Sequence, residues 1–150
     1  MIPTPKRSEE WGVPSSLTEV RPAADRVLKF FSQLNLSEAA LFDIRLCFEE
    51  SIINGIKYGN REKREIPVKV QIAYNDREIF IAVEDRGEGF NPDKIKDPTC
   101  AAGIEAFSGR GVYLIRHLMD RVSYVGKGNR VEMVKVYKKH VSVNAQQGNK

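Results

Sequence analysis

Two amphipathic helices followed by paired strand-like segments predict an α+β domain, with a mostly antiparallel mixed sheet and helices on one face. Three observations carry this. Apolar residues recur at three- and four-residue steps through Leu17–Phe31 and again from Glu38. The period then drops to two through Val68–Ala73 and Ile79–Val83. A second two-period pair, Val122–Val125 and Val131–Tyr137, closes the chain behind one short helix.

The elements follow in order. Residues 1–15 hold three of the seven prolines and read as an N-terminal arm with a short edge strand. Leu17, Val20, Ala24, Val27, Leu28 and Phe31 form the stripe of the first helix, where Pro22 is tolerated within the opening turns. Asn35 ends it, and Ser37 caps a second helix running from about Glu38 to Tyr58, with Leu41, Ile44, Phe48 and Ile52 on its buried face. Gly59-Asn60 stops that helix. Asn75-Asp76-Arg77 is a tight hairpin turn between strands. From Arg86 to Ser108 no period survives, and a loop of that length in a small domain is functional or disordered. Gly111–Met119 reads as a helix, Gly126-Lys127-Gly128-Asn129 as the second hairpin turn, and 141–150 as a polar tail, leaving 16–140 as one folded domain.

Composition narrows the function classes. The chain has 150 residues, 41% apolar and 29% charged, with a net charge of +4. That is ordinary for a water-soluble domain of this size. No apolar run approaches the ~20 residues of a membrane span, and the N-terminus has no apolar signal core. Cys47 and Cys100 match no paired metal-ligand spacing and read as free thiols, consistent with a cytoplasmic protein. The basic residues are dispersed, which argues against direct nucleic-acid binding. His117 and His140 have no catalytic context, and no serine or cysteine sits in a nucleophile elbow.

Three short segments concentrate the chemistry. Glu50 and Asn54 stand one helical turn apart and share a face. An amide oxygen there suits a hard cation such as Mg²⁺, and a carboxylate one turn earlier suits proton abstraction. Two ordinary polar residues on a helix surface would look the same. The adjacent acid, Glu49, projects about 100° away around the helix, so only one of the two shares Asn54's face. Asp85 leaves an apolar strand into Gly87-Glu88-Gly89. A carboxylate at that depth needs donors, such as the exocyclic amine of a purine, and glycines admit a flat ring. A plain Asp-Gly turn fits this segment equally well. Gly109-Arg110-Gly111 opens a helix, where backbone N–H groups and a guanidinium suit phosphate. It matches neither the P-loop nor the dinucleotide fingerprint.

The order and spacing of these segments, Glu50 to Asn54, Asp85 to Gly89 and Gly109 to Asp120, resemble the GHKL ATP-binding superfamily. Within it the pattern looks most like the stand-alone anti-sigma-factor serine kinases. The resemblance covers roughly 16–137 and implies the two-layer α/β sandwich of that superfamily. It implies ATP and Mg²⁺ as cofactors, Glu50 as catalytic base, Asn54 as metal ligand and Asp85 as adenine reader. Gly87 and Gly89 would shape the adenine pocket, Gly109 and Gly111 would cradle phosphates, and 91–108 would form a lid. Some relatives place a basic residue just before the third segment. This chain has Phe107-Ser108 there, and Arg110 is expected to take over the phosphate contact. The implied reaction moves the γ-phosphate of ATP to a serine of an anti-anti-sigma protein. The implied partners are that protein and a sigma factor, with the kinase as a homodimer. A nucleotide-switched binding module with little kinase activity is the competing class. The catalytic half of a histidine kinase is disfavoured, because no helical hairpin with a phosphoacceptor histidine precedes the domain.

Overall fold

The computed structural model describes residues 2–89 and 109–137. The expected lid, the tail, Cys100 and His140 lie outside the described residues.

The elements run β1 (Arg7–Val13), α1 (Val20–Phe31), α2 (Glu38–Asn54), a π-helical turn (Gly55–Gly59), β2 (Val68–Tyr74), β3 (Glu78–Glu84), α3 (Gly109–Leu118), β4 (Arg121–Val125) and β5 (Arg130–Val136). Five strands form one sheet in the order β1-β2-β3-β5-β4, and all four pairings are antiparallel. The sheet, expected to be mostly antiparallel, is antiparallel throughout the described residues. β1, at one edge, falls within residues 1–15 and pairs with β2 along its whole length.

Alternation along the strands decides which face the helices cover. Ile72, Ile81 and Met133 stand in register across β2, β3 and β5, and all three are buried. With Val70, Ile79 and Val83 they form the floor on which Val27 and Phe31 of α1 and Ile44, Phe48 and Ile52 of α2 pack. Ile115 and Met119 bring α3 and the residue after it into the same core. Between residues stepping by two, the opposite face carries a smaller apolar cluster of Ala73, Phe80, Ala82 and Val134, closed by Ile2.

Local chemistry sets the helix ends. Asn35 adopts a left-handed conformation (φ 52°) and turns the chain between α1 and α2. The Ser37 hydroxyl accepts the Ala40 N–H at 3.1 Å and caps α2. Lys135 of β5 donates to the Leu118 carbonyl at the end of α3 and pairs with Asp43 of α2, so one cation fixes both helices to the sheet. Cys47 is a free thiol, as expected. It is fully buried in the core, and burial pushes its pKa up to about 12, which leaves it unreactive.

α2 ends differently from the sequence expectation. The helix is α-helical only to Asn54 and continues as a π turn to Gly59. The Asn60 N–H donates to the Gly55 carbonyl at 2.7 Å, closing the wider ring. Such turns carry no sequence signature of their own and are frequent at functional sites.

Candidate nucleotide site

The π turn, the end of β3 and the β4–β5 hairpin meet at one mouth of the sandwich, around a cleft of about 500 Å³. Asn54, Asp85, Gly87 and Gly89 all line it, with Tyr58, Gly59, Arg61, Lys63 and Lys127 at the walls and rim. Two of the three sequence segments thus reach a single cavity, although Asn54 and Asp85 lie 31 residues apart along the chain. Asn54 and Asp85 also border a smaller inner cavity of about 30 Å³, enough for an ordered water.

Asp85 sits just past β3. Burial pushes its carboxyl above the usual carboxylate range; the N–H of Gly87, donating to Oδ1 at 2.7 Å, pulls the other way. Its main chain is pinned from the neighbouring hairpin: the Asp85 N–H donates to the Asn129 carbonyl at 2.9 Å, and Asn129 Nδ2 donates to the Asp85 carbonyl at 2.7 Å. The glycines around it have steric work. A Cβ on Gly59 would lie 2.2 Å from the Asp85 carboxyl carbon, and one on Gly87 would lie 2.6 Å from the Gly59 carbonyl oxygen. Gly89 is left-handed (φ 79°), and a Cβ there would strike the Lys127 carbonyl at 2.0 Å.

The raised Asp85 pKa has a consequence for stability. An acid whose folded pKa lies above its unfolded value stabilises the fold below the unfolded pKa and loses that contribution as pH rises through the folded one. At neutral pH the ionised carboxylate is therefore a net cost. Asp85→Asn is expected to raise the melting temperature at pH 7, with the gain shrinking as pH falls to 4, while ATP affinity drops. Thermal melts across that range, paired with nucleotide titrations, check both halves.

Asn54 differs in kind. Its Oδ1 is buried and, among the described residues, has no hydrogen-bond donor. An unsatisfied buried acceptor costs about 1–3 kcal/mol and calls for an explanation, such as a cation or water that completes it. A carboxamide oxygen suits Mg²⁺, which takes one or two protein oxygens and fills its shell with phosphate and water. The residues present therefore fit that ion.

Glu50 and Glu49 separate clearly. Glu49 turns to the surface and faces Arg45 one turn earlier at 3.7 Å. The Glu50 side chain is 9% exposed and meets Arg110 Nη2 at 3.2 Å, whereas the Arg110 side chain is 68% exposed. Gly109, Arg110 and Gly111 occupy the first turn of α3, two residues earlier than the helix start read from sequence. Arg110, Gly111 and Glu50 are not among the described residues that line the large cleft; the Glu50–Arg110 pair instead ties the start of α3 to α2 beside it. Sequence reasoning missed Asn60, Gly59 and Asn129 as site residues, because each acts through a contact distant along the chain and none has a local signal. His117, read as having no catalytic context, lies on the surface of α3 with its ring against Tyr113, and among the described residues no group of three or more His, Cys, Asp or Glu could hold a metal.

In this two-layer sandwich Asn54 and Asp85 share one cleft. The chain belongs to the histidine kinase-like ATPase domain family, whose model matches residues 13–135. Among curated proteins it is similar to the anti-sigma F factor of Clostridium kluyveri, with 33% identity over 116 residues, covering 74% of this chain and 81% of that protein. It is also similar to the serine-protein kinase RsbW of Oceanobacillus iheyensis, with 32% identity over 99 residues and 61% of each chain covered. The solved structure of the RsbU and RsbW domains of Rv1364c from Mycobacterium tuberculosis shares the fold, with a TM-score of 0.55 at 10% identity, over 89% of this chain and 33% of that longer one. The protein is thus a GHKL-type, RsbW-like member of an anti-sigma-factor kinase family. No helix among the described residues is long and apolar enough to cross a membrane.

Proposed function

We propose that this protein is an ATP- and Mg²⁺-dependent serine/threonine kinase that acts as an anti-sigma factor and phosphorylates an anti-anti-sigma partner on serine. The observation that carries the reading is the unpartnered, buried Oδ1 of Asn54 in the cleft that Asp85 also lines. The printed names of the relatives, an anti-sigma F factor and a serine-protein kinase, support the partner and reaction class.

Each residue then has a task. Asp85 accepts the N–H of the adenine amine, between the close-packed glycines 59 and 87. Asn54 contributes its oxygen to the metal. Mg²⁺, when bound, neutralises charge on the phosphate chain, which is most of what phosphoryl transfer requires. Backbone N–H groups of Gly109 and Gly111, at the positive end of α3, face phosphate oxygens, and Arg110 adds a charge-assisted contact. Glu50, one turn before Asn54, takes the proton from the attacking serine hydroxyl. Residues 16–140 are the kinase domain in this reading. The protein works in the cytoplasm as a homodimer, binding a sigma factor when its anti-anti-sigma partner is phosphorylated.

Incubation with labelled ATP, Mg²⁺ and a candidate anti-anti-sigma protein is expected to give phosphoserine on the partner, detected by mass spectrometry. Tight ATP binding with no phosphoserine on any such partner would favour the nucleotide-switched binding module instead.

A further inference from the structure

The dipeptide Gly59-Asn60 reads in sequence as nothing more than a helix stop, yet Asn60 is 3% exposed and makes bonds to three separate segments. Its Nδ2 donates to the Ser15 hydroxyl at 3.1 Å and to the Ile66 carbonyl at 3.0 Å. Its Oδ1 accepts the N–H of Arg86 at 2.8 Å, across 26 residues. Its main-chain N–H closes the π turn on Gly55. Ser15 is buried too, and its hydroxyl donates to the same Ile66 carbonyl at 2.5 Å.

The bond to Arg86 matters most for the site. The next N–H along, that of Gly87, donates to Asp85 Oδ1. Two successive peptide groups are therefore gripped, one by Asn60 and one by the Asp85 carboxylate itself. With Gly59 packed against the same carboxylate, the turn 85–87 cannot rotate without breaking a half-buried bond or colliding with backbone. The chain beyond Asn60 supports this: Arg61 and Glu62 are both left-handed (φ 53° and 57°), and Glu62 is held there by its N–H on the Ile56 carbonyl at 2.7 Å. Consecutive non-glycine residues in that region persist only where the surroundings over-determine them, and such strain gathers at functional sites.

We propose that Asn60 is a positioning residue of the nucleotide pocket: through the Arg86 peptide it fixes where the Asp85 carboxylate meets the base, and so sets the preference for adenine. This rests on the reading of Asp85 as the adenine partner. Ser15 shares the buried bonds but does not reach Arg86, which makes it the control.

Asn60→Ala, Ser15→Ala and the parent protein are compared by titration with ATP and with GTP, both with Mg²⁺, and by amide hydrogen exchange without nucleotide. Asn60→Ala is expected to lower the ATP-to-GTP affinity ratio by about tenfold or more, since a ~1 Å misplacement can cost on the order of 10²-fold. It should also speed exchange at Arg86. Ser15→Ala should lower thermal stability and leave the ratio at the parent value. A folded Asn60 variant that keeps either the parent ratio or parent exchange at Arg86 overturns the assignment, and so does an equal fall of the ratio in Ser15→Ala. Should the alanine variant fail to fold, Asn60→Ser, which leaves a smaller void but is too short to reach Arg86, carries the same measurements. A parent protein with no preference for ATP over GTP would sink the adenine role of Asp85, and exchange at Arg86 alone would then decide the role of Asn60.

Discussion

Glu50→Ala is expected to lower phosphoryl transfer by ~10²–10⁴-fold, the usual worth of a positioned general base, while ATP affinity stays within a few-fold of the parent. The separation follows from where Glu50 stands. It does not line the cleft that holds Asn54 and Asp85, so removing it takes nothing from the base or metal contacts. Its Arg110 partner is largely exposed, and the guanidinium left behind returns to water instead of becoming a buried unpaired charge. The fold should therefore survive. Glu50→Gln sharpens the test: its amide oxygen still accepts from Arg110 but takes no proton, so transfer should fall as far as in the alanine variant. Single-turnover transfer rates and calorimetric affinities separate the two effects. Transfer retained by Glu50→Gln, or binding and transfer lost together in Glu50→Ala, would show that Glu50 holds the structure or the nucleotide and is not the base.

Much of this was legible along the chain because it depends on local periodicity. The buried rows Ile44, Phe48, Ile52 and Ile79, Ile81, Val83 are what steps of four and two predict once one face is covered. Ser37 and Asn35 announce a cap and a turn by their own chemistry. The site separated into legible and hidden parts on the same principle. Glu50 and Asn54 declare themselves by sharing a helix face, and Asp85 by entering a glycine turn. Hidden were the features that exist only after distant segments meet. The pairing of Glu50 with Arg110, 60 residues on, depends on α3 docking beside α2. The π turn depends on Asn60 bonding back to Gly55 while gripping Arg86. Gly59 looks like any helix-terminating glycine until Asp85 is seen to occupy the space of its missing side chain.

Asn54→Ala should uncouple function from stability in the opposite sense to most buried substitutions. The variant is expected to bind ATP at least ~10–100-fold more weakly when Mg²⁺ is present, which is the loss that even an outer partner of a metal site can cause. Binding measured with excess chelator should hardly change, because Asp85 and the glycines around it are untouched. Folding stability should hold or rise, since the substitution removes a buried acceptor that has no donor among the described residues and whose burial costs about 1–3 kcal/mol. Calorimetric titrations with and without Mg²⁺, beside a denaturant melt of the nucleotide-free protein, measure all three quantities. Equal weakening with and without the metal would place Asn54 in the pocket wall and outside the metal shell. A clear loss of stability would mean that Oδ1 already has a partner, such as a water in the inner cavity, and the argument from an orphaned oxygen would fail with it.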